Sequence, residues 1–291
     1  MTAGQMMMKN SEYHEMTENR PTLPEDLNKP DGLFGSMLAD RLEEKVYGSD
    51  KGRIRLTLIR EDLEEFWPPF ASPDLTVLDA GGGSGHFARI CARQGHRVLL
   101  CDTSRRMLEM AEEANRQEEL AGRITLMHGE MTDPDLTARG PFDLVLLHGA
   151  AEWTADPEET IRSVSALVRP GGCLSLLVFN RDKHMLKKGI NGMLIRNPVK
   201  RKRMDRQLTP PEGLSSKAVR SLLAALPGKI RLQSGIRVFH QFFLSQPASL
   251  LPGEEWLQQE RLCYRTSPFN ALGEHTHIIW VRDPDGSSGY S

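Results

Sequence analysis

Val77-Leu78-Asp79-Ala80-Gly81-Gly82-Gly83-Ser84-Gly85-His86-Phe87 is the stretch on which the fold turns. Its apolar, β-favouring start reads as a short buried strand, and Phe87-Ala88-Arg89-Ile90-Cys91-Ala92-Arg93 carries apolar residues at helical spacing. The glycines form the turn between them. A strand that runs straight into a helix brings backbone close to a ligand, because residues without Cβ adopt positive φ and leave room, and the helix start offers free N–H groups.

Dinucleotides and S-adenosylmethionine (SAM) are the two cofactors that use such a loop. The dinucleotide fingerprint Gly-x-Gly-x-x-Gly fails here, since counting from Gly81 or Gly83 its last position falls on His86 or Ala88, the latter tolerated in some variants. The spacing Asp79-x-Gly81-x-Gly83-x-Gly85 resembles the first motif of Rossmann-like SAM methyltransferases. About 20 residues on, Arg97-Val98-Leu99-Leu100-Cys101-Asp102 is a second apolar strand ending in a carboxylate, where an acid grips ribose hydroxyls in either cofactor class.

Outward from this unit the chain alternates strand and helix, the signature of a parallel sheet flanked by helices. Toward the N-terminus, helical periodicity spans Leu33 to Trp67 with a break at Gly48 to Gly52, and Trp67-Pro68-Pro69-Phe70 stops the second helix. Toward the C-terminus come a helix over Ser104 to Glu119, strands over Ile124 to His128 and Phe142 to Leu147, and a helix over Pro157 to Leu167. A turn over Val168-Arg169-Pro170-Gly171-Gly172 then feeds a strand over Cys173 to Phe179. Beyond the insertion described next, the pattern predicts a helix over Ser215 to Leu226, a strand pair in Ile230 to Phe243, a helix over Glu255 to Tyr264 and a last strand over Thr276 to Val281. The expected fold is α/β, a doubly wound, mostly parallel sheet with N-terminal helices and a basic insertion after the fifth strand.

Residues 1–31 are polar, acidic and aperiodic, and read as a disordered arm. Residues 32–283 form the expected domain, with an insertion at 181–214, and 284–291 are a Gly/Ser tail. Between Arg181 and Arg206 ten basic side chains face only Asp182 and Asp205, so a local basic patch sits in a chain of formal net charge -2. No apolar run is long enough to cross a bilayer and Met6-Met7-Met8 lacks a signal-peptide core, which leads us to expect a cytoplasmic protein. Cys91, Cys101, Cys173 and Cys263 show neither disulfide nor zinc spacing, and His275-x-His277 lacks a third ligand nearby, so no metal is expected.

In a doubly wound sheet the ligand lies at the carboxyl ends of the strands, which places Asp79, Asp102, the loop from Gly129 to Asp133 and His148 at one pocket. The Asn/Asp-Pro-Pro-aromatic motif of amino-methylating nucleic-acid enzymes is absent after the fourth strand, where His148-Gly149-Ala150 stands. Cys173 follows glycine and opens a strand, unlike a nucleophile for pyrimidine carbon. An oxygen acceptor needing little activation remains. A carboxylate, with a pKa near ~4, is already ionised at neutral pH and needs placement by cations, not a base. Arg237, Arg203 and Arg265 are the candidates for holding it or flanking phosphates.

Several stretches together resemble the bacterial tRNA 5-carboxymethoxyuridine methyltransferases. They are Val46-Tyr47-Gly48-x-x-Lys51-Gly52-x-x-Arg55, the glycine loop, Leu100-Cys101-Asp102, His148 with Glu152-Trp153-x-x-Asp156-Pro157, Arg169-Pro170-Gly171-Gly172-x-Leu174-Ser175-Leu176, Lys200-Arg201-Lys202-Arg203 and Gly235-x-Arg237-Val238-Phe239-His240. The resemblance implies methyl transfer from SAM to the carboxylate of 5-carboxymethoxyuridine at the tRNA wobble position, with the anticodon region as partner. It implies Arg55 at the methionine carboxylate of SAM, Gly81, Gly82 and Gly83 at its amino-acid part, Asp102 at the ribose, Met131 and Thr132 beside adenine, and His148 at the reacting end. Lys200, Arg201, Lys202 and Arg203 would grip RNA backbone. Two alternatives stay open: a methyltransferase for a small carboxylic acid, and a non-catalytic SAM- or dinucleotide-binding RNA-binding protein.

Overall fold

The computed structural model describes residues 36–190, 210, 213–240 and 253–284. Among them a seven-stranded sheet has the order β3-β2-β1-β4-β5-β7-β6. The strands are β1 (Thr76–Ala80), β2 (Arg97–Asp102), β3 (Ile124–His128), β4 (Phe142–His148), β5 (Val168–Phe179), β6 (Gly228–Ile236) and β7 (His275–Arg282). β1 through β5 pair in parallel, and β7 runs antiparallel to both neighbours.

The helices are α1 (Ser36–Leu42), α2 (Asp50–Phe66), α3 (His86–Arg93), α4 (Arg105–Gln117), α5 (Pro134–Thr137), α6 (Pro157–Ser165), α7 (Arg181–Ile190), α8 (Ser216–Ala224) and α9 (Gly253–Arg261). A strand buried on both faces alternates its side chains between two cores. On β4, Leu144 and Leu146 join Ile54, Leu58 and Leu63 of α2 and Cys91 of α3, whereas Val145 and Leu147 join Ile161 and Val164 of α6 and Leu222 of α8. Burial of this kind makes each such leucine worth ~2–5 kcal/mol against truncation to alanine.

Three local outcomes differ from the sequence expectation. The N-terminal break is a π-helical turn, Glu43–Tyr47, followed by Gly48, and α2 already contains Gly52. A Cβ on Gly52 would lie 2.7 Å from Tyr47 Cα, so this glycine lets the turn press against the helix. β5 begins at Val168, opposite Phe142, and takes the Pro-Gly-Gly turn into the strand as an irregular start. Of the strand pair expected over Ile230 to Phe243, the described residues show one strand, β6, which ends as Arg237 adopts φ 62, and residues 241–243 lie outside them.

The basic insertion is only partly visible. Its first ten residues form α7, in which Lys183 is buried and ion-paired with Glu274. Lys200, Arg201, Lys202 and Arg203, the residues 1–31 and most of the tail lie outside the described residues. No helix among the described residues is long and apolar enough to cross a membrane, and no group of three or more His, Cys, Asp or Glu among them could hold a metal ion.

Candidate active site

A cavity of about 660 Å³ opens at the carboxyl ends of β1, β2 and β4, within the size range of small-molecule sites. The glycine loop forms its floor. Gly83 takes φ 57, and its N–H donates to Asp102 Oδ2 at 2.8 Å; Ser104 N–H donates to Oδ1 of the same carboxylate, also at 2.8 Å. Asp102 is thereby held at the end of β2. Burial pushes its pKa up, while these backbone N–H groups pull it down. A Cβ on Gly82 would lie 2.6 Å from Asp79 Cγ, so only glycine packs over that buried carboxyl. Asp79 is pushed up to about 7, first by burial and then by the negative charge of Asp102.

His148, at the end of β4, lines the cavity with its Nε2 2.8 Å from Ser175 Oγ and the ring of Phe87 edge-on at 5.0 Å. Burial holds its pKa well below the usual histidine value, and His277 and Arg55 depress it further. Met131 and Thr132 line the cavity beyond β3. Arg55, projecting from α2, sets Nη2 3.2 Å from His275 Nε2, and its buried Nε has no hydrogen-bond partner among the described residues.

Arg237 faces the same space. It is 5% exposed, and its pKa falls to about 10, first through burial and then through the nearby charge of Arg55, so it remains a cation at neutral pH. The turn that carries it is organised by Glu260. That carboxylate accepts from the backbone N–H groups of Val238 (2.7 Å), Phe239 (2.9 Å) and His240 (2.9 Å). Lys51 and Glu274 complete this end of the cavity.

All eight residues expected at the cofactor, Arg55, Gly81, Gly82, Gly83, Asp102, Met131, Thr132 and His148, border this one cavity. Of the three arginines considered for the acceptor, Arg237 is there. Arg203 lies outside the described residues. Arg265 is elsewhere: its Nε donates to Asp62 at 2.8 Å and its Nη1 pairs with Glu65, at a separate surface hollow.

Sequence reasoning missed the closing elements. Glu43 bonds Ser84 Oγ and lies 2.8 Å from His86 Nε2, and Tyr47 stacks on His86 with ring centroids 4.1 Å apart. Tyr47 stood in a recognisable motif, but nothing local to Glu43 signals its tie to a loop some 40 residues away. His275 was weighed only as a metal ligand; its place beside Arg55 depends on the register of β7 against β5.

Residues 78–176 match a methyltransferase domain family. Over 245 residues the chain is 29% identical to the tRNA 5-carboxymethoxyuridine methyltransferase of Escherichia coli K12, covering 83% of this chain and 93% of that one. The chain is a SAM-dependent methyltransferase. Some relatives of the methyltransferase match a smaller share of the chain. One is the ubiquinone/menaquinone biosynthesis C-methyltransferase of Vibrio campbellii, 30% identical over 38% of this chain and 44% of that one. In fold, the methyltransferase is similar to the magnesium protoporphyrin IX methyltransferase of Synechocystis PCC 6803 solved with bound SAM. That comparison gives a TM-score of 0.56 at 16% identity, covering 91% of this chain and 100% of that one.

Proposed function

We propose that this enzyme methylates the carboxylate of 5-carboxymethoxyuridine at the wobble position of tRNA, forming the methyl ester. The observation that carries the reading is the pair of guanidinium groups, half-buried Arg55 and buried Arg237, at one cavity with Asp102 and the glycine loop. The near full-length similarity to the E. coli enzyme supports the same substrate.

The residues present fit SAM. Asp102 would take the ribose hydroxyls, the loop of Gly81, Gly82 and Gly83 the amino-acid part, Met131 and Thr132 the adenine, and the unpaired Nε of Arg55 suits the methionine carboxylate. SAM supplies an electrophilic methyl group on a sulfonium. Arg237 would hold the acceptor carboxylate through charge-assisted hydrogen bonds, aiming one oxygen for in-line attack. Because that carboxylate would already be ionised, the site would need no general base. His148, kept neutral by burial, would border the reacting end.

Lys200, Arg201, Lys202 and Arg203 would bind RNA phosphates near the anticodon, with affinity falling as salt rises. The test is methyl transfer from labelled SAM, with purified enzyme, to tRNA bearing carboxymethoxyuridine and to small carboxylic acids. Label released from tRNA by mild alkali is the expected result. Label found only on small acids, or on no acceptor, overturns the assignment.

A further inference from the structure

Four polar side chains from four separate elements form a continuous line across the α2-facing core. His277 Nδ1 on β7 lies 2.7 Å from Asp62 Oδ2 on α2; Ser175 Oγ on β5 lies 2.9 Å from His277 Nε2 and 2.8 Å from His148 Nε2. Asp62, His277 and Ser175 are each 0% exposed. Packing alone needs none of them, since the neighbouring positions on the same strand faces are Cys173, Leu177 and Ile279. A buried polar line is stable only when every member is satisfied.

The hydrogen bonds in this line have one consistent direction. The Asp62 carboxylate accepts from Ser234 Oγ at 2.5 Å and Arg265 Nε at 2.8 Å, so His277 Nδ1 must carry the hydrogen it shares with Asp62. Arg265 is shared between Asp62 and Glu65, and the His277 imidazole lies against the second oxygen of the Asp62 carboxylate. In an imidazole with one hydrogen, and that hydrogen on Nδ1, Nε2 of His277 is a lone pair. Ser175 gives its only hydrogen to that lone pair and accepts from His148 Nε2–H. A neutral imidazole has a single N–H, which leaves Nδ1 of His148 as a bare acceptor.

We propose that Asp62, His277 and Ser175 are positioning residues that lock His148 in the Nε2–H tautomer, so that it offers the reacting end of the cavity an acceptor and not a donor. The consequence for catalysis rests on the reading of this site as a carboxylate methyltransferase. Arg237 already supplies the donors that place the carboxylate, and a further N–H on the attacking oxygen would favour the anionic ground state over the transition state, in which that charge is being lost. The line keeps that donor away.

Long-range proton–nitrogen NMR of full-length protein labelled at histidine tests this, with His148→Asn identifying the signal. Wild type should show His148 protonated at Nε2 alone. Asp62→Asn turns the acceptor into an amide donor, reverses each bond in the line and should move the proton to Nδ1, the inversion known for the Asp-His-Ser triad. Ser175→Ala cuts the line with one small buried change and should give a mixture of tautomers, which keeps the test available if Asp62→Asn does not fold. Kinetically, Asp62→Asn should lower kcat about tenfold with KM for tRNA unchanged within about twofold. His148 remaining a pure Nε2–H tautomer in the variants, or a change in KM alone, would overturn the proposal. Absence of tRNA methylation in a wild type whose His148 shows the expected tautomer would count against the substrate assignment and leave the relay standing.

Discussion

The two ends of the cavity are built in opposite ways. The Asp102 end comes from one contiguous βαβ unit, in which glycine loop, helix and carboxylate lie within 26 residues, from Val77 to Asp102. The Arg237 end is gathered from α2, the turn after β6 and the start of β7, so that Arg55 and His275, 220 positions apart, come within 3.2 Å. The first end has the generic shape required by a cofactor common to many enzymes, and residues 78–176, which include most of it, match a methyltransferase domain family. On the proposed reading, the second end is the one that selects the acceptor.

Breaking the shared end should produce the largest effect. Asp102→Ala removes the carboxylate that orients Gly83 and Ser104, and SAM affinity measured by calorimetry should fall by about 100-fold or more, as expected for losing charge-assisted bonds worth ~1.5–3 kcal/mol each. Breaking the acceptor end should leave that affinity alone. Arg237→Ala should keep SAM binding within about twofold while kcat/KM for tRNA drops about 30-fold, consistent with ~2 kcal/mol lost from the acceptor contact. Equal losses at both substrates would erase the contrast between the ends.

A smaller effect separates the RNA surface from both. Replacing Lys200, Arg201, Lys202 and Arg203 with alanine should weaken tRNA binding about tenfold at low salt and flatten its salt dependence, with SAM binding untouched. Filter binding across a salt series measures this.

The smallest effect sharpens the account of the loop itself. Asp79 has its folded pKa raised to about 7 against an ordinary value near 3.8. Between those values the folded state holds a proton that the unfolded state has released, so this group's contribution to stability is full at low pH and declines as pH rises toward 7. Asp79→Asn should therefore gain stability relative to wild type as pH increases from about 4 to 7, and hold level above it. Urea unfolding at several pH values checks the sign.

The contrast also explains what could be read from the sequence. Strand, glycine loop, helix and acid fall at fixed spacing because one local turn dictates them, and Gly82 is legible since no other residue fits over Asp79. Glu43, Glu260 and the line from Asp62 to His148 gave no local signal. Each depends on register between strands or on helices that meet only after folding, such as Ser175 opposite Ile279 with His277 two places along β7. Arg265 shows the same limit from the other side. It was grouped with Arg237 for its charge, and only the fold reveals that it serves Asp62. Nothing in the sequence around residue 230 announced that β6 would end at a non-glycine residue at positive φ, Arg237.

The most direct test follows a labelled methyl group into RNA. Enzyme, methyl-labelled SAM and tRNA carrying 5-carboxymethoxyuridine should yield a wobble nucleoside heavier by one labelled methyl, which mild alkali removes to restore the starting acid. Label that survives alkali on a base or ribose, or a wobble nucleoside that stays unlabelled, would contradict carboxylate methylation.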